Sequence, residues 1–128
     1  MRTPPAASLG VLLISGGHER VHYALVMATG AAALGRDVTI FATNAGVRLL
    51  LADQVLTADP REALVASRGV AGIGVLWSAA RELGIRCIAC EAGLAAEGLR
   101  EAALAPGVER AGVVSFLEAM GTGQIVTL

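Results

Sequence analysis

Residues 10–15, Gly-Val-Leu-Leu-Ile-Ser, form a short apolar run that stops at Gly16-Gly17, and from Glu19 onward the apolar positions change period. A run without polar alternation fits a strand buried on both faces, the situation of a parallel sheet with helices on both sides. Val21, Leu25, Ala28 and Ala32 then recur at three- and four-residue steps, and Gly35 supplies a C-terminal stop, so a helix is expected over 19–34. Strand, glycine turn and helix in that order begin a βαβ unit.

The pattern repeats along the chain. Residues 37–43 read as a second, β-branched strand, followed by a short helix over 47–52. Pro60 suits the first position of a helix over 61–68, where its missing N–H costs nothing. After Gly69, Gly72 and Gly74, residues 75–83 read as a helix with Gly84 as its stop, and 85–90 as a third strand. A weaker helical stretch over 92–104 is broken near Gly98. A fourth strand is expected over 108–114, a short helix over 116–120, and a last strand over 124–128. The expectation is one α/β domain over 1–128: a three-layer α/β/α sandwich, Rossmann-like, on a mainly parallel five-stranded sheet, with residues 1–8 flexible.

Composition removes several function classes. Hydrophobic residues are 55% and charged residues 16% of 128, with a mean hydropathy of +0.65, which excludes a disordered chain. The uncharged stretch 21–35 contains His22 and is shorter than the ~18–20 residues a spanning helix needs, so no membrane span is expected. Residues 1–5 carry one charge and lead into no sustained apolar region before Gly10, so no secretory leader is expected and the location reads as cytoplasmic. A net charge of −1, with arginines scattered singly, gives no reason to expect nucleic acid as a partner. All ten basic residues are Arg; the absence of Lys excludes lysine Schiff bases and a Walker-type phosphate loop.

In an open parallel sheet, sites form beyond the carboxyl ends of the strands. Three segments end there. Ser15-Gly16-Gly17 precedes a helix, Asn44 follows the second strand, and Glu91-Ala92-Gly93 follows the third, so their backbone amides are candidates for an anion pocket. Neither this turn nor Gly69–Gly74 is a dinucleotide fingerprint, and no cofactor is expected. Cys87 and Cys90 have the spacing of a redox pair, but on a strand residues three apart face opposite ways, so their sulfurs diverge. Cys87 then packs as a small apolar side chain. Cys90 ends the strand just before a helix start, where a thiolate role and simple burial both fit. His18 and His22 are one helical turn apart but lack further ligands, so no metal site is expected. His18 reads either as a polar residue at a helix start or as a cation or proton carrier beside Cys90. Trp77 reads as core or interface. Ser115 has no catalytic partner at useful spacing, and no G-x-S-x-G elbow exists.

Residues 27–43, then Cys87-Ile88-Ala89-Cys90-Glu91-Ala92-Gly93, then Val114-Ser115-Phe116-Leu117-Glu118 and the closing Ile125-Val126-Thr127-Leu128 together resemble the DsrE/DsrF-like sulfur-relay family. The likeness is strongest to its branch of predicted peroxiredoxin-like proteins. It implies a parallel five-stranded α/β/α sandwich, trimers or hexamers, and sulfur carried as a persulfide on one cysteine and exchanged with a small TusA-like carrier or a rhodanese. The family cysteine falls on Cys90. Many relatives have a small hydroxyl residue after it, where this chain has Ala92-Gly93, and no Thr-x-x-Cys arrangement is present because Cys87 holds that place. The expected function is sulfur transfer through Cys90, a sulfurtransferase or sulfur carrier. The alternatives are a non-catalytic small-ligand-binding or assembly subunit, and a thiol redox sensor. The apolar composition and the resemblance both lead to an expected closed homo-oligomer, with the Gly-rich stretch 69–80 around Trp77 as a candidate contact.

Overall fold

The structure, a computed structural model, describes residues 7–128. Five strands, β1 (Leu9–Leu13), β2 (Val38–Ala42), β3 (Arg86–Cys90), β4 (Glu109–Ala111) and β5 (Gln124–Thr127), form one sheet in the order β4-β3-β2-β1-β5. Every pairing is parallel, with Leu9 opposite Val38, Thr39 opposite Arg86, Ile88 opposite Glu109 and Gly10 opposite Ile125. The helices are α1 (His18–Ala33), α2 (Pro60–Ser67), α3 (Ile73–Glu82), α4 (Glu91–Ala96) and α5 (Val113–Met120).

The chain steps outward from β1 to β4 and then returns past β1 to β5. Right-handed crossovers put helices of opposite travel on opposite faces. Side-chain parity shows the result. Leu9, Val11, Leu13, Ile40, Ala42, Cys87 and Ala89 point to one face and pack against Val21, Leu25 and Ala28 of α1, Ile73 and Ala80 of α3, and Leu94 of α4. Phe41, Ile88 and Cys90 point to the other face, beneath Phe116 and Met120 of α5. Among the described residues one layer is therefore thick and the other is an eight-residue helix. Gly10 makes room for it, because a Cβ there would stand 2.6 Å from the Met120 Sδ and 2.9 Å from Phe116 Cζ. The Phe116 ring has little freedom to yield, being stacked on Phe41 at 4.8 Å.

Several element limits differ from the sequence expectations. The helix expected at 47–52 is a 3₁₀ helix over Asn44–Leu50, starting as soon as β2 ends. α4 is short because Gly98 takes a left-handed conformation (φ +71°) and Leu99 N–H closes back on the Leu94 carbonyl, so 97–104 does not continue the helix. β4 is three residues long rather than seven. Gly112 acts as the N-cap of α5, turning Val113 and Val114, β-branched residues that read as strand, into its first turn. Of the stretch 1–8 expected to be flexible, residues 1–6 lie outside the described residues. The Ala7 and Ser8 carbonyls accept hydrogen bonds from Arg36 Nε and Gln124 N. Trp77 packs partly buried on the larger core, with the Arg81 guanidinium 5.2 Å from its ring centre. Among the described residues no helix is long and apolar enough to cross a membrane.

Candidate functional site

β3 runs into α4 without a loop: Cys90 is both the last strand residue and the N-cap of the helix, with φ −66° and ψ 122°. In the cap position a side-chain acceptor meets the N–H of the third helical residue, a role Ser, Thr, Asp or Asn oxygen usually fills. Here a thiol fills it. The Gly93 N–H points at Cys90 Sγ from 3.4 Å. The sulfur sits among Phe41, Ile88, Phe116 and Met120, with Leu12 and Ala111 at the rim, and Cys90 is 7% exposed.

Cys87 lies on the other face, in the larger core, where its thiol lies 3.6 Å from the Ile85 carbonyl oxygen as donor. Burial pushes this thiol up to about 11, against a partial opposing pull from Arg81. Both cysteines are free thiols, and the sheet lies between their environments.

The three carboxyl-end segments converge, with glycines at the points of closest approach. A Cβ on Gly93 would stand 2.5 Å from both Asn44 N and Thr43 Oγ1, and one on Gly16 would stand 2.7 Å from the Ala45 carbonyl. A Cβ on Gly46 would press on the Leu13 carbonyl oxygen. Gly16 and Gly93 thus serve as spacers that let backbone meet backbone, while Gly17 has open space on its side-chain side. The neighbouring cleft, about 600 Å³, takes Glu91 and Ala92 from the expected pocket but not Ser15, Gly16, Gly17, Asn44 or Gly93. Its other walls are Leu94, Ala95, Arg100, Glu101 and Arg110, so two guanidiniums and two carboxylates surround an apolar floor. Arg110 donates to the Arg100 and Ala102 carbonyls at 3.1 and 2.6 Å, which fixes the loop after α4 against the sheet edge.

His18, the first residue of α1, makes no hydrogen bond to Cys90. Its Nε2 donates to Glu62 Oε1 at 2.7 Å, and the ring is 4% exposed, stacked on His22 at 5.8 Å. Glu62 also accepts from the Ile73 and Gly74 amides at 2.8 and 2.9 Å, capping α3 from a neighbouring helix. Burial raises the Glu62 carboxyl, but the Gly74 amide, His18 and the Ile73 amide together outweigh it and hold it below its usual range. His22 donates to the Ala71 carbonyl at 2.8 Å. Among the described residues no three His, Cys, Asp or Glu side chains are grouped to hold a metal ion. Sequence reasoning missed Glu62, Arg100, Glu101 and Arg110, which no local motif marks.

A match to the DsrE/DsrF-like family spans residues 8–128. The chain belongs to the DsrE/DsrF-like family. No curated protein matches it. Among the solved structures that carry the fold are two proteins of low sequence identity. The YchN protein from E. coli superposes with a TM-score of 0.74 at 16% identity, over 96% of this chain and 100% of that one. MTH1491 from Methanobacterium thermoautotrophicum, a protein of unknown function, does so at 0.56 and 19% identity, over 94% and 99%. Within this DsrE/DsrF-like chain, Cys90 is the thiol placed at the carboxyl edge of the sheet, and Cys87 is a core residue.

Proposed function

We propose that this DsrE/DsrF-like protein is a cytoplasmic sulfur-transfer protein with Cys90 as the sulfur-bearing residue. The observation that carries the reading is the capping geometry: Cys90 ends β3 with the Gly93 amide aimed at its sulfur. In the reaction the Cys90 thiolate attacks the outer sulfur of a donor persulfide, R–S–SH. The donor's S–S bond breaks, a new one forms on Cys90, and R–S⁻ departs. Attack by an acceptor thiolate on the same outer sulfur returns Cys90 to its starting state, so no outside oxidant or reductant is consumed. The partners fitting this exchange are a TusA-like carrier and a rhodanese. The Gly93 N–H supports a sulfur anion at each stage.

The test is mass spectrometry of the intact protein after exposure to polysulfide or a persulfide donor. One added sulfur on the wild type, retained in Cys87→Ser and lost in Cys90→Ser, supports the proposal. Equal loading of Cys90→Ser, or no loading of any form, sinks it.

The 7% exposure of Cys90 favours a second reading, a non-catalytic assembly or ligand-binding subunit. In that case Cys90 resists alkylation at neutral pH as well as sulfur loading. A thiol redox sensor would alkylate but not load.

The same reading includes a closed homo-oligomer, a trimer or hexamer. Among the described residues one face of the sheet is covered by α5 alone, and α5 leaves Val113, Val114 and Leu117 at 50%, 65% and 53% exposure beside Ile125. Closed symmetry would bury such a face without leaving open patches. Light scattering at micromolar concentration checks it: a single 13.0 kDa species defeats the assembly, and a tetramer defeats its trimer-based form.

A further inference from the structure

We propose that α2 and the turn that follows it form a lid, fastened by the single carboxylate of Glu62, over a cluster of N–H donors made by His18 and the first turn of α3. α2 is unlike the other helices in having no buried residue. Its largest apolar side chain, Leu64, is 40% exposed, and residues 66–71 are all exposed. The helix is internally well formed, with Pro60 in its first turn and the Asp59 side chain accepting from the Arg61 amide at 2.8 Å. It holds its shape from within, and its apolar side chains, half-buried Val65 included, belong to neither core cluster.

What ties it down is polar. Glu62 and Val65 are the half-buried members of α2, and Glu62 is the one that makes polar contacts inward. It accepts from three donors on two other helices: His18 Nε2 on α1, and the Ile73 and Gly74 amides of α3. Gly72 is the residue that permits this approach, since a Cβ there would stand 2.6 Å from Glu62 Oε1. The other ties are at the surface. Arg61 and Glu19 are 3.9 Å apart with both side chains well exposed, and the His22 bond to Ala71 is exposed as well. Exposed pairs of this kind add little to the closed state. Gly69, in the left-handed region at φ +74°, closes the end of α2, with its N–H on the Ala66 carbonyl and the Val70 N–H on the Val65 carbonyl.

A segment with no fully buried apolar anchor opens at a fraction of the free energy of global unfolding, because opening exposes far less apolar surface than unfolding the core does. The closed state therefore depends on the Glu62 carboxylate. When the segment lifts, the His18 Nε2–H and the Ile73 and Gly74 amides lose their acceptor and face solvent at the carboxyl edge of the sheet. The lid is on the thick layer, opposite α5 and Cys90, so its opening is separable from the cysteine chemistry proposed above.

Hydrogen exchange read by mass spectrometry on the full chain at neutral pH tests this. In the wild type, amides of 63–71 exchange at least about a hundredfold faster than those of β1 and β2. Glu62→Ala speeds exchange across 63–74 by a further tenfold or so, about the effect of one charge-assisted hydrogen bond, with β1 and β2 changed less than about threefold. Leu64→Ala on the same helix leaves lid exchange within about threefold of wild type, because Leu64 is exposed and outside both core clusters. Three results overturn the proposal: wild-type α2 as protected as β1, Glu62→Ala loosening every segment in proportion, or Leu64→Ala opening the segment as far as Glu62→Ala. The wild-type comparison decides the matter alone if the Glu62 variant does not fold.

Discussion

Gly93→Ala sets helix propensity against packing, and the structure says which wins. Gly93 is the third residue of α4, where alanine is intrinsically better than glycine by about 1 kcal/mol. Against this, the new Cβ would stand 2.5 Å from Asn44 N, 2.5 Å from Thr43 Oγ1 and 2.9 Å from Thr43 Cα. Ordinary contact between non-bonded heavy atoms is about 3.5–4.0 Å, so α4 has to retreat by roughly 1 Å from the end of β2. None of the opposing atoms is the free end of a long side chain, so the clash is relieved by backbone movement. Overpacking of this kind costs about 1–3 kcal/mol, and two backbone walls place it at the upper end. The net effect is a loss of about 2 kcal/mol. With a urea slope of about 2 kcal/mol/M for a chain of this size, the midpoint falls by about 1 M, provided protomer concentration is held fixed. The same retreat moves the Gly93 amide, whose hydrogen is aimed at Cys90 Sγ, and carries Leu94 partly out of the core. Alkylation of Cys90 in the folded protein should therefore be faster in the variant. A midpoint equal to or above that of the wild type would refute the reasoning, since it would mean that propensity outweighs the close approach of α4 to the Thr43-Asn44 backbone.

Gly30→Ala is the matched control: Gly30 lies in the last turn of α1 with nothing within 4 Å of its Cβ position, so the substitution should stabilise by about 0.5–1 kcal/mol in the same urea titration. Cys87, its thiol pushed up to about 11, should alkylate at least about a hundredfold more slowly than a free cysteine and after Cys90, with no internal disulfide on mild oxidation. Modification of Cys87 first, or a two-proton mass loss, would contradict the opposite-face arrangement. Glu62 is held below its usual range when folded, so it stabilises at neutral pH, and that contribution is lost as pH falls through the lowered value. The stability difference between wild type and Glu62→Gln should be full above about pH 5 and close toward acid, and a gap that stays constant to pH 3 would show that the carboxylate charge is not what matters.

The parallel α/β architecture was legible because its strands are short, apolar on both alternations and followed by helical periods, a signal that depends only on neighbouring residues. Cys90 was legible for the same reason: strand parity separates it from Cys87, and the strand-to-helix change places it at the edge. Element limits were less so. Val113 and Val114 read as strand by propensity, yet Gly112 turns the chain there and α5 begins, because Phe116 and Met120 must reach the face that Gly10 leaves open. Gly16, Gly46 and Gly93 illustrate another limit. A glycine in the sequence says that something comes close, but not whether it is a ligand or the chain itself, and at Gly16 and Gly93 it is the chain. His18 has the same ambiguity. Its acceptor is 44 residues away in a helix whose local pattern carries no mark of the contact.

The two layers divide the molecule's polar chemistry by the parity of a few strand residues. On the thick side, α1 and α3 bury the odd-numbered residues of β1, and polar groups hold the helices together: Glu62 of α2 caps α3, and His18 of α1 donates to the same carboxylate. On the thin side a single short helix covers Phe41, Ile88 and Cys90, and the thiol at the sheet's edge has one amide donor and no charged neighbour bonded to it. Moving the sulfur by one residue along β3 would turn it into the larger core, away from the Gly93 amide. The position of Cys90, rather than any charged partner, is what sets it apart, and substitutions that shift α4 or α5 should therefore alter its reactivity more than substitutions at His18.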